Sequence, residues 1–310
     1  MITTITLNPC IDRTVMLPAV SPGEINLVEK SRSDIGGKGI NLAVALTQLG
    51  LPVTCGGISF KGNNTQLYDS LDRLGIPYDF VVAPGDMRMN IKIVETSGNK
   101  MTELNSTGEH VSKKILDEFL GKLTHLGSNC DIVSLCGRLP NGAGTDYYKL
   151  CIEALSCYPV RVIVDAEGEP LKQAIQAKPY MIKPNAYELG TIFGREVHTV
   201  DEAAMLSRKI VDQGVEIVCC SLGDQGAIIA EKDSVWYAPA LKIEPKGFQG
   251  AGDSMIAGIC KAITEELPTK EMLRYGTAAA AASLIREGTL LCQKPDFESF
   301  LMDVEVIELI

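Results

Sequence analysis

The stretch Gly247-Phe248-Gln249-Gly250-Ala251-Gly252-Asp253 sets glycines and one carboxylate directly ahead of Met255, Ile256, Ile259, Cys260 and Ile263. Those apolar residues recur at helical spacing, which puts the glycines at a helix N-terminus. Unpaired backbone N–H groups and the positive end of the helix dipole meet there, and glycine lets an anion come close to the backbone. A phosphate suits that chemistry, and Asp253 in the first turn stands where it can take a proton from a hydroxyl attacking the phosphate. An aspartate that only complements the helix dipole would have the same place in the sequence, so residue type alone leaves both roles open. A second cluster, Gly36-Gly37-Lys38-Gly39 with Asn41, precedes Leu42, Val44, Ala45, Leu46 and Leu49. Two such helix starts suit a donor and an acceptor, although a tight strand-to-helix turn uses glycines in the same way. The Walker pattern is absent, and Met255 stands where a dinucleotide fingerprint needs its third glycine, which disfavours a nicotinamide oxidoreductase.

The elements that must position these residues alternate. Short β-branched runs at 53–58, 131–136, 160–165 and 215–220 predict strands buried on both faces, and helix-like segments lie at 39–49, 63–74, 143–157 and 200–213. The economical fold is α/β, a mainly parallel sheet covered by helices on both faces. Two stretches, 12–35 and 87–105, instead alternate polar with apolar around turn signals at Pro22-Gly23 and Ser97-Gly98-Asn99. They predict antiparallel strands of a small sheet beside the main one, serving as a lid or a dimer surface. No repeat or low-complexity linker divides residues 1–310, so a single domain with that appendage is expected.

Composition excludes some partners. With 310 residues, 45% of them hydrophobic, the chain can bury a full core. A net charge of -10 argues against a nucleic-acid or anionic-membrane partner, since either needs a basic face. The ten cysteines are scattered without a C-x-x-C pair, which suggests reduced, mostly buried thiols in the cytoplasm. Cys136 reads as a packed strand-end thiol, and His110, His125 and His198 show no metal spacing. No apolar run reaches about 18 residues, and the start, MITTITLNP, reads as a strand.

Taken together, GGKGIN (36–41), KPNAYEL (183–189), SLGDQGA (221–227) and GAGDSMIAG (250–258) resemble the ribokinase-like (PfkB) carbohydrate kinase family, in order and over nearly the whole chain. TLNPCID (6–12), GGKGIN and RMNIKI (88–93) look most like its 1-phosphofructokinase and tagatose-6-phosphate kinase branch. The resemblance implies a fold with a small β-sheet lid that often pairs in homodimers, and ATP with Mg2+ as cofactors. It implies Asp253 as catalytic base and Gly250, Ala251 and Gly252 as the anion hole. Asp12, Gly37 and Asn41 match positions that bind sugar hydroxyls. Lys38 and Arg88, helped by Asn90 and Lys92, look like the grip on a phosphate that the acceptor already carries. Lys183, Asn185 and Glu188 match the segment that handles ATP phosphates and magnesium, Glu188 through water. Ser221, Gly223 and Gly226 match a nucleotide-side loop. The implied reaction is in-line phosphoryl transfer from MgATP to the free primary hydroxyl of a ketohexose monophosphate, fructose 1-phosphate or tagatose 6-phosphate. A kinase of fructose 6-phosphate, of a neutral sugar or of a nucleoside, and a non-catalytic ligand sensor, are the rivals.

Three departures accompany the resemblance. Lys246-Gly247-Phe248-Gln249 stands where relatives carry an acidic or amide residue and a hydroxyl residue. Arg138 replaces the serine of a common Gly-Ser-Leu-Pro, as an addition to phosphate binding or a sign of a changed substrate, and Glu167 occupies a place where a small hydroxyl is usual.

Overall fold

The computed structural model describes residues 1–98, 100–247, 250–286 and 291–309. Asn99 of the second turn signal and Phe248 and Gln249 of the departing run therefore lie outside the described residues.

The large sheet has ten strands among the described residues. Its parallel part runs, in spatial order from one edge, β5 (Tyr78–Ala83), β4 (Val53–Phe60), β1 (Ile2–Thr6), β8 (Ile132–Cys136), β9 (Arg161–Asp165), β10 (Met181–Ile182) and β11 (Ile217–Ser221). Three antiparallel strands, β12 (Ala227–Ala230), β13 (Val235–Ala238) and β14 (Ile307–Glu308), extend the far edge. Every residue of β1 and β8 is buried, the threonines of β1 and Ser134 of β8 included, which requires cover on both faces. That cover comes from helices α1 (Lys38–Gln48), α2 (Asn64–Arg73), α3 (Lys113–Gly127), α4 (Tyr147–Leu155), α5 (Gly168–Gln176), α6 (Ala186–Phe193), α7 (Val200–Val211), α8 (Ala251–Thr264), α9 (Thr269–Leu284) and α10 (Lys294–Leu301). Helix α1 buries Leu42, Ala43, Ala45 and Leu46 and packs on β1 and β4, as its apolar spacing requires. Helices α8 and α9 lie against each other, and the buried alanines 278, 279, 281 and 282 keep their backbones close.

A separate four-stranded sheet is ordered β3 (Lys30–Gly36), β2 (Cys10–Leu17), β6 (Arg88–Glu95), β7 (Lys100–Leu104). It corrects the sequence reading in two ways. The pairs β2–β3 and β6–β7 are antiparallel as expected, but β2 and β6 join in parallel, Cys10 opposite Arg88 through Leu17 opposite Glu95. Connectivity explains this: β2 leaves the C-terminal end of β1 and β6 leaves that of β5, two parallel strands of the main sheet, so their continuations run the same way. Residues 18–29 form no strand, only a turn near Gly23, where φ is 85°.

The ten cysteines are all free, and Cys136 is buried. Among the described residues no helix is long and apolar enough to cross a membrane.

One backbone contact between β4 and β1 gives a test. Gly57 on β4 has φ 138°, and a Cβ there would lie 1.9 Å from the carbonyl oxygen of Thr6, its partner on β1. Gly57→Ala is expected to cost more than about 2 kcal/mol, because neither strand can move without breaking the parallel ladder. Urea denaturation followed by circular dichroism checks this; a midpoint equal to the wild type's would contradict the close approach.

Candidate active site

The site forms where the parallel strands end. In open α/β sheets, loops beyond the carboxyl ends of the strands leave a crevice, and the functional positions sit in those loops. Asp165 is the last residue of β9, Lys183 follows β10, Ser221 ends β11, and Lys38 opens α1.

A polar cavity of about 370 Å³ lies between this crevice and the four-stranded sheet. Its wall contains Asp12, Gly37, Lys38, Asn41, Arg88, Asn90, Lys92 and Arg138, all eight positions that the sequence assigned to the acceptor, together with Gly250. Asp12 accepts from Lys92 Nζ at 2.7 Å and from Asn90 Nδ2 at 2.8 Å. Burial alone would raise the pKa of Asp12, but Lys92 and Asn90 outweigh it and hold the carboxyl below its usual range. The β2–β6 pairing places these three side chains together, Asp12 opposite Asn90 and Lys92 two residues on. Arg88 donates to the carbonyl oxygen of Asn8 at 3.3 Å, to Asn90 Oδ1 at 3.0 Å and to the carbonyl oxygen of Ser106 at 3.2 Å. These acceptors are neutral, so among the described residues its guanidinium has no carboxylate partner.

A larger cavity of about 760 Å³ lies on the other side of the Gly250–Asp253 turn. Asn185, Ser221, Gly223 and Gly226 line one part of it, Ala251 and Gly252 another, and Leu241, Ile243, Met255, Ala280 and Leu284 give it an apolar floor. Thr277 also faces this cavity, and its buried hydroxyl has no hydrogen-bond partner among the described residues. An apolar slot with an orphaned hydroxyl, leading to a glycine-lined helix start, fits a nucleotide base followed by its phosphates.

Gly250 caps α8 with φ 75°, a left-handed turn open to glycine, and a Cβ there would strike the Leu291 side chain at 2.1 Å. The turn presents the first N–H groups of α8 and sets Asp253 in its first turn, 7% exposed. Asn41 Nδ2 donates to Asp253 Oδ2 at 2.9 Å, tying the two glycine-led helices together. Burial, and then the charge of Asp165, push the Asp253 pKa up to about 6, against the pull of Asn41, Lys38 and Lys183.

Behind the turn lies a group that the sequence reading missed. Asp165, 1% exposed, accepts from Lys38 Nζ at 2.9 Å and lies 3.6 Å from Lys183 Nζ. Burial would raise the Asp165 pKa, but the two ammonium groups overcome it and hold it low, and Asp165 in turn raises both lysines despite their own desolvation. Lys183, 5% exposed, stands beneath the Gly250–Gly252 turn, its Nζ 3.2 Å from where a Cβ on Gly252 would be. The signal available in sequence was an acid ending the apolar run VRVIVD, which reads equally as an ordinary strand end. Cys10 was also missed: its buried thiol donates to Asp12 Oδ1 at 3.3 Å, and burial with the nearby Asp12 charge pushes its pKa up to about 12.

Glu188 is buried rather than spread on the helix surface, and completes a capping box with Asn185: its Oε2 accepts the Asn185 N–H at 2.8 Å while Asn185 Oδ1 accepts the Glu188 N–H at 2.8 Å. Burial raises its pKa, offset by Lys38. Among the described residues no group of three His, Cys, Asp or Glu side chains could hold a metal. A magnesium ion here would rest mainly on phosphate oxygens and water, with Glu188 as the carboxylate beside them.

An α/β sheet whose strand ends open onto one polar and one largely apolar cavity, joined by a glycine-led helix start, suits an enzyme that phosphorylates a sugar. The profile of the pfkB family of carbohydrate kinases matches residues 5–296, and the chain belongs to that family. A 1-phosphofructokinase of Borreliella burgdorferi is 32% identical over 309 residues, 99% of this chain and 98% of that protein. A 1-phosphofructokinase of Bacillus subtilis is 33% identical over 289 residues, 93% of each. Among solved structures, phosphofructokinase-2 from Escherichia coli in complex with potassium superposes with a TM-score of 0.92 at 26% identity, covering 97% of this chain and 98% of that one.

The raised Asp253 pKa has a consequence for stability. A carboxyl whose folded pKa exceeds its unfolded one weakens the fold as pH rises from its ordinary value of 3.8 through about 6, because the folded protein must then carry a charge it disfavours. Asp253→Asn removes that charge and keeps an oxygen for the Asn41 N–H. Its stability is expected to match the wild type near pH 4 and to exceed it above pH about 6, by at most about 3 kcal/mol for a shift near two units. Melting curves from pH 4 to 8 check this, and a variant less stable than wild type at pH 8 would contradict the burial argument.

Proposed function

We propose that this chain transfers the terminal phosphoryl group of MgATP to the free primary hydroxyl of a ketohexose monophosphate, with fructose 1-phosphate as the first acceptor to test and tagatose 6-phosphate as the second. The observation that carries this reading is the turn shared by the two cavities: Gly250 lines the polar one while Ala251 and Gly252 line the apolar one, and Asp253 follows in the same turn, buried and hydrogen-bonded to Asn41 of the polar cavity's wall. A donor and an acceptor bound on either side would meet there. The relatives named 1-phosphofructokinase, at about a third identity over nearly the full chain, favour the phosphorylated ketose. Arg88 supports it physically. A guanidinium that, among the described residues, hydrogen-bonds only to neutral oxygens retains its charge for an anion, and a neutral sugar would leave it unmatched.

In this reading Asp253 Oδ1 takes the proton of the attacking hydroxyl, while Asn41 holds Oδ2 and fixes the carboxylate plane. The backbone N–H groups at Gly250–Gly252 and the ammonium of Lys183 take up charge on the phosphoryl group in flight. Lys38, drawn to Asp165 beside Lys183, belongs to the same charge, which leaves Arg88 as the grip on the phosphate already present. Asp12 and Asn90 offer acceptor and donor atoms to sugar hydroxyls. When bound, magnesium neutralises and orients the phosphate oxygens near Glu188. We assign the four-stranded sheet as the lid over the sugar, and its exposed Met89 and Leu104, which share the face turned away from Asn90 and Lys92, as part of the surface of a homodimer contact.

Asp253→Asn is expected to keep ATP affinity and to lose on the order of 10²–10⁴ in turnover. Wild-type kcat should also be lost with acid. Since the base works as carboxylate and titrates near 6, kcat/KM is expected to fall about tenfold per pH unit below that point, after correction for the acceptor phosphate, which ionises in the same range. A coupled ADP-release assay from pH 5 to 8 measures both, and near-normal turnover of the variant would end the assignment. Arg88→Ala is expected to raise the KM for the phosphorylated ketose by about tenfold or more while the KM for ATP stays within about twofold, as loss of a charge-assisted contact requires. Equal changes in both constants would contradict its acceptor role.

A further inference from the structure

Two of the positions where this chain departs from the pattern it resembles face each other. Arg138 lies two residues beyond Cys136 at the end of β8, and Glu167 lies two residues beyond Asp165 at the end of β9; Cys136 and Asp165 are register partners in the parallel ladder. Equal offsets from paired strand ends bring the two side chains together, and Arg138 Nε donates to Glu167 Oε1. The pair stands at a boundary. Both residues line the polar cavity that holds Arg88 and Asp12, and both line a neighbouring hollow beside Glu188. It is also open to solvent, with the side chains 59% and 46% exposed.

We propose that Arg138 and Glu167 form a specificity latch for the acceptor, resting on the functional reading above: Glu167 holds Arg138 until the phosphate of an incoming ketose phosphate displaces it. An exposed ion pair contributes little and breaks readily. A phosphate dianion brings more charge than a carboxylate and several oxygens suited to the guanidinium fork, so it outcompetes Glu167 for Arg138 and recruits it alongside Arg88. A neutral sugar offers nothing to displace Glu167 and leaves the latch shut. A small hydroxyl at both positions would hold no charge there and give no such discrimination. Lys38 and Lys92, the other cations in the cavity wall, are committed to the less exposed Asp165 and Asp12, which leaves the exposed pair as the one a ligand can open.

Steady-state kinetics on the full chain test this with Arg138→Ala, Glu167→Gln and the double variant, using fructose 1-phosphate and tagatose 6-phosphate as acceptors. Glu167→Gln is expected to lower the acceptor KM by about threefold or more, because the competitor is gone. Arg138→Ala is expected to raise it by about tenfold. Within the Arg138→Ala background, Glu167→Gln is expected to change it by less than about twofold, since Glu167 acts through Arg138. In each case the acceptor KM should move further than kcat and than the KM for ATP. The latch is overturned if Glu167→Gln raises or leaves unchanged the acceptor KM, if it lowers KM equally with and without Arg138, or if both single variants lower the melting temperature with no change in KM, as a plain staple between loops would. A wild-type enzyme that phosphorylates neither ketose phosphate overturns the functional reading and the latch with it. An active wild type with unresponsive variants overturns the latch alone.

Discussion

Asp165 carries the site's electrostatics. A carboxylate removed from water at the end of a central strand is costly unless cations answer it, and here two do, Lys38 from the start of α1 and Lys183 from the segment after β10. Removing either lysine would leave that charge under-compensated, so the acid fixes the positions of two ammonium groups that the sequence places 145 residues apart. Two lysines around one aspartate leave positive charge beside the Gly250–Gly252 turn, where the proposed reaction would place a transferring phosphoryl group. Asp165 also repels the Asp253 carboxylate and so contributes to its raised pKa. In the proposed reaction one buried acid thereby connects charge stabilisation with the basicity of Asp253.

The parallel sheet makes this convergence possible. Strands β1, β8, β9, β10 and β11 all deliver their loops to the same edge, so residues from distant parts of the chain meet without long connections. The small sheet follows from the same geometry. Because β2 and β6 continue outward from parallel strands, they must pair in parallel, and that register sets Asp12 opposite Asn90 with Lys92 beside them. The antiparallel hairpin arrangement expected from alternation would have given a different set of neighbours.

Much of this was legible in the sequence. Glycine clusters ahead of apolar periodicity announce helix starts, and unbroken β-branched runs announce strands buried on both faces, so both helix starts and the sheet follow from local pattern. All eight residues assigned to the acceptor share one cavity, because charged and amide side chains near glycine turns have few other uses at the ends of buried strands. Long-range pairing was not legible. Lys92 alternates on a strand as a solvent-facing lysine would, yet it is buried because Asp12 lies within reach on a neighbouring strand. Asp165 ends an apolar run like many strand-terminal acids, and only the fold reveals its two lysines. Arg138 and Glu167 are 29 residues apart, and their contact depends on the β8–β9 register.

The last balance concerns Asp253 itself. Burial and Asp165 push its proton on, while the Asn41 amide, Lys38 and Lys183 push it off, and the outcome near 6 lies between two useless extremes. With the lysines and amide absent, a carboxyl this deeply buried would stay protonated at neutral pH and could accept nothing. With burial absent, it would be a carboxylate of ordinary pKa, too weak a base to draw a proton from an alcohol. In the proposed reaction, bound phosphates would add negative charge nearby and raise its proton affinity further, so Asp253 would gain basicity as the reactants assembled around it. The Asn41 hydrogen bond would keep that strength directed: with Oδ2 occupied, Oδ1 is the oxygen left for the hydroxyl in the proposed reaction.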